Sequence, residues 1–201
     1  PGNGAEGNQW TVKQSLDSGA FGLMAPQISN TDEALAIVSA SRYPQKIDAK
    51  DQEPAGERGA APGNAARYWG MSVPEYFDRA DLWPLDPKGE LTLIAMIESE
   101  AGVENAKEML SDAKGIAAVF IGPTDLSTSL GYAGQPEHPE VEKAIQEVLA
   151  ITKELKIPCG ILVNKANIEK RLQEGFRFLV IAGTPGEIED AAKLGRSLSG
   201  R

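Results

Sequence analysis

Two carboxylates, Glu98 and Asp125, each follow an apolar run of the 201-residue chain. The first run is Leu91-Thr92-Leu93-Ile94-Ala95-Met96-Ile97, and the second is Ile116-Ala117-Ala118-Val119-Phe120-Ile121, continued by Gly122-Pro123-Thr124-Asp125. Acids at the ends of two buried strands, with a helix between them, point to a shared metal site on the C-terminal face of a parallel sheet. Neighbouring strands lie about 4.8 Å apart, so both side chains can converge on one divalent cation. An all-oxygen donor set favours Mg²⁺, Mn²⁺ or Ca²⁺ over softer metals. The competing reading makes the same acids helix caps or salt-bridge partners, and spacing alone does not separate the two.

Such a site needs elements that deliver it. Strand and helix signals alternate along the chain. Asn8 is placed to cap a helix over Gln9–Ser18, ended by Gly19, and Ala20–Ala25 reads as a buried strand before Pro26. Asn30 or Thr31 caps the next helix, with Asp32 and Glu33 in a first turn where acids suit the helix dipole. Residues 44–66 carry no usable period and read as a long loop insertion. A short helix over Val73–Asp81 and a turn-rich connector over 82–89 follow. Strands 91–97, 116–121, 159–163 and 177–182 then alternate with helices over 101–110, Pro139–Leu155, 166–174 and 186–198, with a loop from Gly122 to Gly134. In the longest helix Val141, Ala144, Ile145, Val148, Ile151, Thr152 and Leu155 keep the helical period. The expected class is α/β with a parallel sheet. A closed (β/α)8 barrel takes eight strand–helix units and about 250 residues, so five strands make either an open doubly wound sheet or a barrel lacking its first part.

Bulk properties narrow the function. The chain is 41% hydrophobic and 24% charged, ordinary for one globular domain spanning residues 1–201. A net charge of -9 argues against a duplex nucleic-acid partner, which calls for a basic footprint. The single Cys159 excludes an intramolecular disulfide framework and suits a reducing compartment. No apolar stretch reaches membrane-spanning length and no signal-peptide pattern opens the chain, so cytoplasm is the expected location. The first residue is Pro1 and not Met, which leaves open whether this N-terminus is the native one.

The segments Met96-Ile97-Glu98-Ser99 and Phe120-Ile121-Gly122-Pro123-Thr124-Asp125-Leu126-Ser127 carry a resemblance, joined by Gly131-Tyr132-Ala133-Gly134 and His138-Pro139-Glu140-Val141. Weaker matches are Leu16-Asp17-Ser18-Gly19, Leu23-Met24-Ala25-Pro26 and Ser41-Arg42-Tyr43-Pro44. With these the chain resembles the HpcH/HpaI aldolases, class II pyruvate aldolases related to citrate lyase beta subunits. The long loop at 44–66 is similar in kind to the fungal macrophomate-synthase-like branch. The resemblance implies a TIM barrel of the phosphoenolpyruvate/pyruvate type, assembled as a trimer or hexamer. It implies that Glu98 and Asp125 are the metal ligands, for Mg²⁺ or else Mn²⁺ or Co²⁺, on the fifth and sixth barrel strands. Strands one to three then have no counterpart here. Nor have the family's catalytic histidine and carbonyl-polarising arginine. Both are expected upstream of Pro1, so no catalytic residue is assigned within the chain. His138 precedes a helix and is read as a residue leading into it.

The chemistry so implied is a lyase reaction through a pyruvate enolate. The substrate is a small 2-oxo acid of the pyruvate or oxaloacetate type, the partner an aldehyde or other acceptor, and oxaloacetate decarboxylation a side activity. The metal acts as a Lewis acid. Backbone amides of Thr124 and Asp125 are placed to hold the substrate carboxylate, Pro123 to shape the turn and Gly122 to permit close approach. A citrate-lyase-beta-like CoA-thioester lyase ranks lower, because no basic patch for a CoA tail is evident. A different class altogether is a catalytically incomplete fragment or assembly subunit that retains the metal site. Other residues have plainer readings. Glu100 reads as a first-turn acid, Arg58 as a solvated loop arginine and Ser127 as a cap or a hydrogen-bond partner near the site. Cys159 reads as a small buried hydrophobe, and Trp10, Trp69 and Trp83 as packing or interface residues.

Overall fold

The computed structural model describes residues 4–45, 47 and 53–199, side chains of 4–8 and 199 excepted. Pro1 lies outside the described residues, and so does the expectation attached to it, that the family's histidine and arginine stand upstream. The spine of the fold is β3 (Leu91–Ile97) and β4 (Ile116–Ile121), and five strands run parallel in the order β1 (Gly22–Ala25), β3, β4, β5 (Cys159–Val163), β6 (Phe178–Ile181). A sixth, β2 (Leu82–Trp83), lies parallel beside the start of β3, where the sequence suggests only a turn-rich connector. Two residues cannot show a period, and their pairing with Leu91 and Thr92 is a tertiary contact. The result is an α/β arc of the TIM-barrel type.

The helices cover one side of the arc. They are α1 (Gly4–Asp17), α2 (Thr31–Ser41), α3 (Gly63–Trp69), α4 (Val73–Arg79), α5 (Glu100–Glu104), α6 (Ala106–Asp112), α7 (Pro123–Ser129), α8 (Pro139–Glu154), α9 (Ile168–Glu174) and α10 (Pro185–Ser199). Leu91, Leu93, Ala95 and Ile97 of β3 are fully buried, while Thr92, Ile94 and Met96 on the opposite face are exposed or half-buried. So the apolar run alternates in burial along its length. Each buried Leu or Ile contributes about 2 kcal/mol, which makes β3 the strand that anchors the rest.

Capping residues set several boundaries. Asn30 Oδ1 accepts the Glu33 N–H at 2.9 Å, and the Glu33 carboxylate accepts the Ser29 N–H at 2.8 Å, starting α2 where the sequence placed it. A reciprocal pair from Ser72 and Glu75, with Pro74 in the first turn, starts α4. In α8 the buried residues are Val141, Ala144, Ile145, Val148, Leu149 and Thr152, close to the periodic set, with Ile151 and Leu155 partly buried.

Other boundaries differ from expectation. Asn8 lies inside α1 and not at its cap. The helix expected over 101–110 is two helices, broken at Asn105, whose side chain donates to the Ser29 carbonyl at 2.9 Å. Residues 123–129, within the expected Gly122–Gly134 loop, form α7. Its run of Thr and Ser has weak helix propensity, but Pro123 has its φ preset for a first turn and Leu126 is wholly buried. Burial overrides propensity there. The last part of the expected 44–66 loop is helical from Gly63; residues 46 and 48–52 lie outside the described ones. Among the described residues no helix is long and apolar enough to cross a membrane.

Candidate active site

Glu98 stands one residue past the C-terminal end of β3, and side-chain alternation puts it in the row of Ile94 and Met96, opposite the helix-covered face. It is only 5% exposed. One oxygen, Oε1, accepts the backbone N–H of Gln27, from the loop after β1, at 2.9 Å. The other, Oε2, faces Gly122: a Cβ built on that glycine would meet it at 2.4 Å. Any side chain at 122 would therefore collide with the carboxylate. Gly122 is held there by its N–H, which donates to the Ile97 carbonyl at 3.2 Å.

Asp125 reaches the same place by another route. Gly122 is the N-cap of α7 and Pro123 its first residue, so Asp125 falls in the first turn, exposed at the rim. Burial is the main reason the Glu98 carboxyl is held above the usual carboxylate range. The Gln27 N–H opposes that shift, while the nearby charge of Asp125 adds to it. The two acids singled out by their positions in sequence thus come near one another in space, and Asp125 adds to the cost of ionising Glu98.

The rest of the rim is tied together by hydroxyls and amides. Ser29 Oγ and Ser99 Oγ are 2.8 Å apart, Ser99 Oγ caps α5 by accepting the Gly102 N–H, and the Glu100 N–H donates to Ser129 Oγ at 2.9 Å. The N-cap of α7, Gly122, has no side chain to cap the helix, and among the described residues no side chain accepts the N–H groups of Thr124 and Asp125. Thr124 is exposed; its carbonyl accepts the hydroxyls of Ser127, at 2.7 Å, and Thr128. Ser127 is fully buried and so bonds within its own helix, and Glu100 is an exposed first-turn acid.

Several residues lie elsewhere. His138 is the N-cap of α8, with Nδ1 accepting the Glu140 N–H at 3.2 Å and its ring stacked on Tyr132 at 3.7 Å. Cys159 is buried and its thiol is pushed up to about 12, mainly by burial, which leaves it inert. Trp69 stacks on Phe21 at 4.1 Å, while Trp10 is largely exposed and Trp83 about half exposed. The reading of Arg58 as a solvated loop residue is overturned: it is 2% exposed, with Nη2 on Asp17 Oδ1 at 2.8 Å and on the Tyr76 hydroxyl at 3.0 Å. Gln27 is the participant the sequence did not reveal. The signal would have been its place right after Pro26 at a strand end, where a rim loop begins.

Comparison with known proteins is decisive for the family. Residues 4–187 match the HpcH/HpaI aldolase/citrate lyase family. The chain belongs to that family. It is 34% identical over 171 residues to the 4-hydroxy-2-oxo-heptane-1,7-dioate aldolase of Shigella sonnei, a match covering 85% of this chain and 59% of that enzyme. It superimposes with a TM-score of 0.75, at 28% identity, on an HpcH/HpaI aldolase/citrate lyase family protein from Burkholderia cenocepacia J2315, over 96% of this chain and 70% of that one. Macrophomate synthase shares the fold, with a TM-score of 0.63 at 21% identity over 95% of this chain and 62% of that one. The chain spans between 59% and 64% of the length of the curated aldolases it matches first.

Proposed function

We propose that the protein is a divalent-metal-dependent carbon–carbon lyase of the pyruvate-enolate type, with Glu98 and Asp125 as its metal ligands. The observation that carries this reading is the meeting of a buried carboxylate with a second acid at the C-terminal rim of a parallel sheet. That rim is where barrel enzymes of this architecture place their chemistry. The pair fits a hard cation. Both donors are carboxylate oxygens, and a cation would offset the burial and the like charge that hold Glu98 above its ordinary range. Mg²⁺ is the proposed ion, with Mn²⁺ or Co²⁺ as substitutes. When bound, it supplies Lewis-acid stabilisation of negative charge on a 2-oxo acid.

The chain's own residues do the rest. The Gln27 N–H orients Glu98, and Gly122 leaves room for its carboxylate. Pro123 starts α7 so that the uncapped N–H groups of Thr124 and Asp125 point out of its first turn, where they hold the substrate carboxylate. The substrate is a small 2-oxo acid of the pyruvate or oxaloacetate type, with an aldehyde or other acceptor as the second partner. The names of the related aldolases support this class. His138 is engaged in capping and stacking, so the proton-transfer group is not assigned to it. A cytoplasmic homo-oligomer is the proposed form.

The test is oxaloacetate decarboxylation with added Mg²⁺ or Mn²⁺, alongside calorimetric Mn²⁺ titration of the chain itself. Glu98→Ala and Asp125→Ala should each lower metal-dependent activity by at least ~100-fold and remove the calorimetric signal. Undiminished activity and binding in both variants would sink the proposal. Detection of acetyl-CoA in place of pyruvate as a product would shift the assignment to the CoA-thioester lyases.

A further inference from the structure

Among the described residues, two other than glycine have a positive φ, Gln27 at +54° and Lys156 at +59°. Lys156 follows the end of α8, where a left-handed residue is a common way to stop a helix. Gln27 has no such setting. It lies between two fixed points: Ala25 is in register with Ala95, and the Ile28 N–H donates to the Met96 carbonyl at 3.2 Å. A regular parallel ladder would put the Gln27 N–H on the Met96 carbonyl, and Ile28 takes that place, so the Pro26–Gln27 segment holds one extra residue, as in a β-bulge, a device that re-aims groups beside functional sites. Of the two, only Gln27 has an N–H to give, and that N–H is the one on Glu98 Oε1 at 2.9 Å.

We propose that Gln27 is a positioning residue: its left-handed backbone aims its N–H at Oε1 and so sets the orientation in which the Glu98 carboxylate meets Asp125. The proposal rests on the reading of Glu98 as a working carboxylate of the site. The conformation is disfavoured for a residue with a Cβ, and the loop retains it because the ladder contacts on either side leave the chain no extended path. Glu98 Oε2 is left to face Gly122, because Oε1 is tied.

Two measurements on the full chain test this. In amide exchange followed by NMR, Glu98→Ala should speed exchange at Gln27 about tenfold or more and leave Ile28, whose acceptor is the Met96 carbonyl, unchanged. In calorimetric Mn²⁺ titration, Gln27→Gly and Gln27→Asn, which tolerate the left-handed region, should bind within about twofold of the parent. Gln27→Val, whose β-branched side chain disfavours that region, should bind about tenfold more weakly, the scale on which ligand-orienting partners act. Unchanged exchange at Gln27 in Glu98→Ala, or parental Mn²⁺ affinity in Gln27→Val, would overturn the positioning role. If the parent and Glu98→Ala take up Mn²⁺ equally, it is the metal assignment that fails, and the exchange measurement alone decides the role of Gln27.

Discussion

The two ends of the sheet handle buried charge in opposite ways. At the N-terminal end the charges are paired. Arg42, 1% exposed, grips Asp81 through Nε at 2.7 Å and Nη2 at 2.9 Å, and a third nitrogen donates to the Pro54 carbonyl. Arg58 holds Asp17, which Lys13 also contacts, and its guanidinium lies 4.4 Å above the Tyr43 ring. Backbone contacts reinforce this end, with the Arg58 N–H on the Arg42 carbonyl at 2.8 Å and the Glu57 N–H on the Ser39 carbonyl at 2.9 Å. At the C-terminal end two acids lie near one another with no cation between them among the described residues, and one of them is buried. Opposite charges in pairs hold a loop in place. Like charges brought together cost stability, and groups shifted in this way cluster at functional sites.

The contrast can be broken from either end. The largest stability loss is expected at the paired end. Arg58→Ala should destabilise the fold by about 3 kcal/mol in urea unfolding, near the low end for a broken buried pair because Lys13 still reaches Asp17. The combined change Asp17→Asn with Arg58→Met should recover most of that loss, since it removes both charges and not one. Mn²⁺ affinity should stay at the parental level in both, and a loss of binding in either would erase the separation between the ends.

A smaller stability effect with a larger binding effect is expected at the rim. Gly122→Ala places a methyl 2.4 Å from Glu98 Oε2, forcing the carboxylate aside. Overpacking of this kind costs about 1–3 kcal/mol, and Mn²⁺ binding should fall by at least tenfold. Parental binding in this variant would show that the Glu98 position is not the one that matters.

The smallest effect sharpens the comparison by pH. Burial and Asp125 raise the folded-state value of Glu98 above its unfolded one. A raised carboxyl contributes its stability below the unfolded value and loses it as pH rises through the folded value. Metal-free protein should therefore lose thermal stability over the range just above the ordinary carboxylate region, and Glu98→Gln should flatten that slope. An identical slope in the variant would mean that Glu98 does not carry the raised value.

Legibility in the sequence follows the same division. Glu98 and Asp125 were visible because each follows a long apolar run, and burial is what makes a strand run apolar. The N-cap of α2, the buried stripe of α8 and the positions of the main strands along the chain were visible for related local reasons. Arg58 was misjudged because a loop arginine in a Gly-rich setting carries no mark of the aspartate 41 residues earlier that buries it. β2 and α7 were missed because neither has a period or propensity of its own, and both exist through what they pack against.

By itself the sequence determined the alternation of elements, the parallel α/β class and the identity of the two acids. These depend on short-range periodicity and on residue chemistry at strand ends. Only the tertiary structure decided that the acids meet, that Gly122 leaves the space in which they do so, and that the Gln27 N–H, from 71 residues away, orients one of them. Those facts depend on the register between strands and on a left-handed residue held by contacts at both sides, which no local pattern encodes.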